Sequence, residues 1–302
     1  MLRLIESLNE KVEAYEKLEA RLKEAWRNTE TRVVVWRPDS RKMTIYHNGT
    51  YWFGSVPPSE KDSTPRYWNP FGEYREKGNL QIAVEINIPT KLNERRVSGF
   101  FAQDLETSTA YLMRDGGVGG GRKGIGRSAF LAWSSAQPVP AIDAAGDSRL
   151  GIVIAPVDSR STAGDVARFV KSAVEFKQAV VSGETESPQA RQEQRTYEDY
   201  YNEFAGKKRR RRLEEVEYIS RHGDIVRALR DWRRHNARSK EKVVKNAYID
   251  LGIARNGVLT ELYEVKTNGA RQTLYSAIGQ LASMMIPRTE AVGVFSCYPP
   301  AK

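Results

Sequence analysis

The sequence predicts two folded domains, an α+β domain followed by a smaller α/β domain. The chain has 302 residues, roughly twice the length of a typical single domain. Short apolar runs with a period of two follow one another from residue 32 to residue 113, which is typical of strands. After a polar segment, a second series of elements has the order helix, strand, strand, helix, strand, and this series defines the smaller domain.

The composition excludes several classes of protein. No run of about 18 consecutive apolar residues is present, so the sequence predicts no membrane-spanning helix and no membrane partner. A single cysteine, Cys297, excludes a disulfide framework. Together with three histidines it cannot form the Cys and His clusters of zinc proteins, so oxygen atoms must hold any metal. The chain starts with a segment rich in acidic residues and without the apolar core of a signal peptide, which predicts a cytoplasmic protein.

The net charge of +10 is concentrated in one segment. Residues 207–245 contain fifteen Lys and Arg residues against six Asp and Glu residues, which is nearly the whole excess. Such a strip attracts phosphates through counterion release, so we interpret it as a nucleic-acid-binding segment. A solvated basic linker or helix face is the alternative. The densest part is the run Arg209, Arg210, Arg211 and Arg212.

Residues 1–27 are predicted to form one long helix. Its apolar side chains recur three or four residues apart, at Leu4, Leu8, Val12, Tyr15, Leu18 and Leu22. This stripe can pack on the protein's own body or pair with a second copy of the chain. The length of the helix without clear caps favours a coiled-coil contact, which would make the protein a homodimer or a higher homo-oligomer.

Residues 28–183 are predicted to form the α+β domain, which would serve recognition or sensing. Alternating apolar runs separated by Gly, Pro and Asn clusters indicate strands over 32–36, 43–47, 80–88, about 97–102 and 109–113. The continuous apolar run 150–157 indicates a buried strand, and a helix follows over 165–181 with Asp165 at its start.

Residues 184–212 are polar, then basic, and poor in aliphatic side chains, as expected of a linker. Residues 213–302 form the predicted α/β domain. Within it we expect helices over 213–236 and 274–285 and strands over 248–254, 258–266 and 291–298.

The two adjacent strands of the second domain carry Asp250, Glu264 and Lys266. Alternate side chains of a strand share a face, so Glu264 and Lys266 point the same way. With a two-residue turn, Asp250 would lie opposite Tyr263 on the other face. With a three-residue loop over 255–257, Asp250 would pair with Leu262 and lie diagonally beside Glu264. The glycine at the third loop position favours this second register, which we therefore predict.

Two carboxylates and an amine on one surface have a defined chemical use. Mg²⁺ or Mn²⁺ takes a few carboxylate oxygens and keeps several waters, which leaves positions for a phosphate oxygen. A neighbouring ammonium group can orient or acidify the attacking water and balance negative charge on the transition state. The pattern therefore predicts metal-dependent hydrolysis of a phosphodiester. A surface ion pair between Glu264 and Lys266 on an exposed strand is the alternative.

Asp250, the string Glu264-Val265-Lys266 and the helix with Gln280 resemble the PD-(D/E)XK, or restriction-endonuclease-like, nuclease superfamily. The resemblance covers roughly residues 210–302 and implies a mixed central sheet flanked by helices. It also implies that Asp250 and Glu264 hold the metal and that Lys266 assists the water. Gln280 would correspond to a glutamine that many members carry near the metal-bound water or the DNA backbone.

Other positions agree with the family in part. The nominal proline before the aspartate is absent, and Met284 stands where some relatives have a tyrosine. Many members place an acidic residue on the first helix of the nuclease core, where Glu215 and His222 lie on one stripe of this sequence. Some relatives have a histidine there, so the resemblance favours His222 over Glu215. A structural histidine in the core is the alternative interpretation.

The glycine-rich segment 116–128 differs from a phosphate-binding P-loop by one residue. Arg127 stands where a P-loop has the lysine that reaches the nucleotide phosphates, so we exclude nucleotide hydrolysis. Its backbone amides with Arg122, Lys123 and Arg127 are still suited to a nucleic-acid backbone. A flexible basic hairpin is the alternative.

Together these features predict a Mg²⁺- or Mn²⁺-dependent endonuclease that hydrolyses DNA, with RNA as a possible second substrate. By resemblance, an N-terminal reader joined to such a domain is typical of bacterial restriction or antiviral defence enzymes. Two alternatives remain. One is a non-catalytic nucleic-acid-binding regulator, and the other is a defence nuclease that a small nucleotide activates by binding to the first domain.

Overall fold

The computed structural model describes residues 1–36, 38–91, 94, 96–119, 124–136, 138–186, 190–191, 194–195, 214–244, 250–256, 258–266 and 271–284. The strands are β1 (Leu2–Leu4), β2 (Asn28–Trp36), β3 (Asp39–His47), β4 (Tyr51–Gly54), β5 (Arg66–Tyr67), β6 (Pro70–Glu73), β7 (Leu80–Gln81), β8 (Val84–Glu85), β9 (Ile88–Pro89), β10 (Gly99–Asp104), β11 (Ala110–Arg114), β12 (Val139–Ile142), β13 (Ser148–Pro156), β14 (Glu241–Val244), β15 (Leu251–Arg255) and β16 (Val258–Tyr263). The helices are α1 (Leu8–Ala25), α2 (Arg127–Ser134), α3 (Thr162–Val181), α4 (Glu214–His235) and α5 (Arg271–Met284).

A closed five-stranded barrel is formed within residues 1–186, the part of the chain that is called the first domain below. Its strands follow the order β1-β10-β11-β13-β12, and the parallel pairing of β1 with β12 closes it. The run 150–157 forms most of β13, which is buried along nearly its whole length as its continuous apolar composition predicts. Pro156 ends this strand because it has no N–H for the ladder.

A six-stranded sheet of order β7-β2-β3-β4-β6-β8 forms the second part of the domain. The β2–β3 hairpin is regular over nine residue pairs, from Asn28 opposite His47 to Trp36 opposite Asp39. In β3 the alternate side chains Met43 and Ile45 are buried, which is the pattern that predicted this strand. In β2 Val34 alone is buried, and Val34 and Ile45 are fully inaccessible.

The prediction of one helix over 1–27 was wrong in its bounds, whereas its role in dimerisation stays a prediction. Residues 2–4 form a barrel strand, and the helix starts only at Leu8. Its stripe, including Tyr15, Leu18 and Leu22, is buried in the protein's own hydrophobic core. The same apolar spacing occurs in helices that pack on a core and in coiled coils. Here α3 packs against part of the apolar stripe of α1.

Other differences concern single elements of the first domain. The run 80–88 contains three short strands, β7, β8 and β9, because its segments pair with three different partners. Helix α3 starts at Thr162 and therefore before Asp165. Helix α2 follows directly after the glycine-rich segment and was not predicted, since its eight residues are too few to display a helical period.

Residues 214–284, called the second domain below, contain in their described part a three-stranded antiparallel sheet of order β14-β15-β16 together with α4 and α5. Strand β14 was not predicted, and the predicted strand 291–298 lies outside the described residues. The mixed central sheet therefore stays a prediction. Arg233 connects α4 to this sheet, since its Nη2 atom donates to both carboxylate oxygens of Glu261 on β16 at 3.0 Å.

Helix α4 also packs on the first domain. The Nη1 atom of Arg230 donates to the carbonyl of Trp133 on α2 at 3.2 Å, and Arg227 donates to the hydroxyl of Ser172 on α3 at 3.0 Å. Gly223 lies so near the end of α2 that a Cβ atom there would be 2.9 Å from the carbonyl oxygen of Ser134. Within the described ranges, no helix has the length and apolarity needed to cross a bilayer.

Candidate active site

The register of β15 and β16 brings Asp250 close to Glu264, but this register differs from the predicted one. Arg255 pairs with Val258, so the three-residue loop predicted over 255–257 was wrong. A β-bulge then shifts the pairing, so that Leu251 lies opposite Tyr263 and not opposite Leu262. Continuing this register one residue further sets Asp250 opposite Glu264. A regular two-residue hairpin would have put Asp250 on the other face.

Two hydrogen bonds hold the Asp250 carboxylate. Its Oδ2 atom accepts from the backbone N–H of Val265 at 2.7 Å, and its Oδ1 atom lies 2.8 Å from Nε2 of His222 on α4. The His222 side chain is only 3% exposed and that of Asp250 is 12% exposed. Both partners are therefore fixed inside the protein, and the carboxylate has a defined orientation beside the end of β16.

Lys266 is positioned by two oxygen atoms from different elements. Its Nζ atom donates to Oε1 of Glu264 at 2.7 Å and to Oε1 of Gln280 on α5 at 2.8 Å. Glu264 and Lys266 are two residues apart in an extended segment, so their side chains project to one side. Gln280 extends from an exposed position of α5 toward that side. One ammonium group thus joins the strand end to the helix.

The surroundings of Glu264 disfavour the ionised form of its carboxyl group. Burial raises the pKa of this carboxyl group, and the nearby negative charge of Asp250 raises it further. The Lys266 ammonium and His222 act in the opposite direction. Two carboxylates therefore lie close together in a partly desolvated position, where added positive charge would favour the ionised form of Glu264.

The donor chemistry fits a hard divalent cation. Asp250 and Glu264 supply carboxylate oxygens, which Mg²⁺ and Mn²⁺ prefer, and Mg²⁺ needs only one or two of them besides water and phosphate. His222 bonds a carboxylate and so occupies the position that partners of metal ligands usually take. Among the residues with described side chains, no group of three or more His, Cys, Asp and Glu has the arrangement of a complete metal site.

The structure brings together His222, Asp250, Glu264, Lys266 and Gln280, which come from two helices and the ends of two strands. The backbone N–H of Val265 belongs to the same cluster and was missed, because a main-chain donor leaves no signal in residue type. The Glu215 side chain lies outside the described residues.

Arg127, which was predicted to bind nucleic acid, is not part of this cluster. Arg127 is the first residue of α2 in the first domain, where its Nη2 atom donates to Oδ2 of Asp115 at 2.6 Å. Arg122, Lys123 and the basic run over 209–212 lie outside the described residues. Their predicted contacts to a nucleic-acid backbone stay predictions.

Comparisons were made with protein-family models, with curated proteins and with solved structures. None of the three comparisons finds a match. The geometry of the cluster and the chemistry of its side chains therefore carry the functional argument.

Proposed function

We propose that the protein is a Mg²⁺- or Mn²⁺-dependent endonuclease that hydrolyses phosphodiester bonds of DNA. The observation that carries the proposal is the position of Lys266, whose ammonium group bonds both Glu264 and Gln280 beside the Asp250 carboxylate. A structural ion pair does not require a second carboxylate and a glutamine around the same lysine. The predicted resemblance to PD-(D/E)XK nucleases assigns these same residues to the active site.

Each side chain has a specific role in this proposal. Asp250 and Glu264 would hold the divalent ion, which supplies electrostatic polarisation of the phosphate when it is bound. Lys266 would orient the attacking water and stabilise negative charge on the phosphate in the transition state. Gln280 holds the ammonium group in place, and His222 holds the Asp250 carboxylate.

The surface near the end of α4 supports a nucleic acid as the substrate. Arg234, Arg238, Lys240 and Lys242 are all exposed along the end of this helix and the following turn and strand. Exposed cations of this kind bind the phosphate backbone and make the affinity depend on salt. With a basic run predicted over 207–212, they suit a long polyanion better than a small neutral substrate.

Plasmid cleavage tests the proposal. Supercoiled DNA incubated with the full chain and Mg²⁺ should be nicked or linearised, and EDTA should abolish the reaction. Lys266→Ala should lower the cleavage rate by about 10²–10⁴-fold, the range for loss of a positioned catalytic group. Lys171→Ala, an exposed lysine of α3 outside this basic surface, is the matched control and should stay within about threefold of the native rate.

The same assay should include modified and unmodified duplexes, single-stranded DNA and RNA. Cleavage of RNA alone would overturn the choice of DNA. Binding of these substrates without metal-dependent cleavage of any of them would overturn the enzyme proposal and support a nucleic-acid-binding regulator. Equal activity of the native chain and Lys266→Ala would exclude the assigned site.

A further inference from the structure

A cavity of about 710 Å³ lies in the first domain. The cavity is lined by residues of β8 and β11, by Lys177 of α3 and by residues 117–119 of the glycine-rich segment. Its volume is within the range of about 300–1,000 Å³ that is typical of small-molecule sites. Asp250, Glu264 and Lys266 do not contribute to its lining, so the cavity is separate from the candidate active site.

The lining is strongly cationic. Among the lining residues that the structure describes, five cationic side chains accompany two carboxylates, those of Glu85 and Asp115, which leaves a formal excess of three positive charges. The cationic residues are Arg66, Arg96, Arg114, Arg127 and Lys177. Glu94, outside the lining, pairs with Arg96, and Asp115 pairs with Arg127. With these two pairs set aside, the cations that remain in the lining are Arg66, Arg114 and Lys177, opposite the carboxylate of Glu85.

Arg114 and Lys177 are held by neutral groups. The Arg114 guanidinium is 4% exposed and donates to the backbone carbonyls of Gly117 and Glu85, while the Lys177 ammonium donates to the carbonyl of Ala83. Burial lowers the pKa of Arg114 to about 10 and also lowers the pKa of Lys177. Two cations removed from water and bonded to carbonyls would gain from an anion beside them.

The remaining wall offers other kinds of contact. Trp36 lines the cavity, and its ring packs edge to face against Trp68 with centroids 5.0 Å apart, which fixes its orientation. Glu85 is held in position by Asn87, whose Nδ2 atom donates to Oε2 at 2.7 Å. An indole ring suits a flat heterocycle, and a fixed carboxylate accepts hydrogen bonds from hydroxyl or amino groups.

We propose that this cavity binds a small nucleotide. Its phosphate would lie between Arg114, Lys177 and Arg127, with the base along Trp36 and Glu85 accepting from a ribose hydroxyl or a base amino group. Inorganic phosphate alone would leave the aromatic wall and Glu85 unused. A duplex is too wide for the cavity, so the free nucleotide is the form that the lining suits. This inference goes beyond the proposed nuclease function and does not depend on it.

Isothermal titration calorimetry of the full chain tests the proposal. The ligands are the four 5′-ribonucleoside monophosphates, cyclic di-AMP, cyclic di-GMP, adenosine, inorganic phosphate and an eight-nucleotide DNA strand. At least one nucleotide should bind at least ten times more tightly than adenosine, phosphate or the DNA strand. Lys177→Met should weaken that binding at least tenfold, whereas Lys171→Met, an exposed lysine of the same helix, should leave it unchanged.

Arg96→Ala is a second test variant, since Arg96 is exposed at the cavity and its loss leaves the core intact. It should weaken nucleotide binding about threefold or more, and circular dichroism checks that each variant is folded. The proposal is overturned if no nucleotide binds, if phosphate or the DNA strand binds as tightly as every nucleotide, or if folded Lys177→Met and Arg96→Ala both bind like the native chain. Because binding is measured without cleavage, these outcomes are independent of nuclease activity.

Discussion

The Nε2 atom of His222 lies 2.8 Å from the Oδ1 atom of Asp250, although the two residues are 28 positions apart in the chain. One belongs to helix α4 and the other precedes strand β15. The contact therefore connects the helix that packs on the first domain to the carboxylate of the candidate active site. It also explains why a histidine is buried on this helix.

His222→Ala should weaken metal-dependent cleavage through Asp250. Partners of metal ligands typically contribute about 10–100-fold to metal affinity. We expect the Mg²⁺ concentration for half-maximal cleavage to rise by about tenfold or more, while the rate at saturating Mg²⁺ falls less. His235→Ala, an exposed histidine at the end of the same helix, is the control. An equal loss of rate at every Mg²⁺ concentration would contradict this positioning role.

Gln280 should act through Lys266. Removing its side-chain oxygen leaves the ammonium group with Glu264 as its fixed carboxylate partner, and one hydrogen bond to a charged group contributes about 1.5–3 kcal/mol. Gln280→Ala should therefore lower kcat by about 10–100-fold with little change in KM for DNA.

The conservative variant Gln280→Glu keeps an oxygen acceptor at the same place and should recover part of the lost rate. Steady-state cleavage of a fluorescent duplex measures both parameters. A rise in KM with unchanged kcat would show instead that Gln280 contacts the DNA.

Arg233 should stabilise the second domain. Its side chain is 9% exposed and bonds Glu261 on β16 and Glu241 on β14, at 3.0 and 3.5 Å. Truncation to Ala leaves the Glu241 carboxylate, 6% exposed, without this cation, and loss of one partner of a buried pair costs up to about 3–5 kcal/mol. Since Glu261 is 37% exposed, we expect Arg233→Ala to lower the free energy of unfolding by about 2–3 kcal/mol.

Arg234→Ala is the matched comparison for Arg233→Ala, because Arg234 is the next residue and is 42% exposed. It should change the free energy of unfolding by less than about 0.5 kcal/mol. Urea denaturation followed by circular dichroism measures both variants. Equal effects of the two substitutions would mean that the contacts to the sheet add nothing to stability.

Local patterns predicted much of the fold. Strands within β2 and β3, the buried strand β13 and helix α3 were predicted because each displays its own period, although the pairing of β2 with β3 was not predicted. The run 80–88 was predicted as one strand. Alternation of apolar and polar residues indicates which side chains are buried, but it does not indicate which strand is the partner. For α1, the apolar stripe was correct, but a stripe does not specify what covers it.

The residues of the cluster were predicted, whereas the predicted strand register was wrong. The ExK string places Glu264 and Lys266 on one side by strand periodicity alone. The position of Asp250 beside Glu264 depends on a β-bulge in β16, and no residue type in that strand indicates a bulge. The contacts of His222 and Gln280 join segments separated by a sheet or a loop, so only tertiary packing creates them.

Gly223→Ala should disturb the site from outside it. An alanine Cβ at this position would lie 2.9 Å from the carbonyl oxygen of Ser134 and 3.3 Å from backbone atoms of Ser135, so α4 and α2 would have to separate. The expected cost is about 1–3 kcal/mol, partly offset by the better helix propensity of alanine. Because the neighbouring residue His222 holds Asp250, cleavage should also fall by about tenfold.

Gly164→Ala on α3 is the control for this substitution, since a Cβ there meets no atom within 4 Å. It should leave cleavage unchanged and stabilise the fold by up to about 1 kcal/mol. Thermal unfolding and plasmid cleavage measured on both variants separate helix propensity from packing. If Gly223→Ala stabilised the protein as much as Gly164→Ala and kept full activity, the close contact between α4 and α2 would have no part in positioning His222.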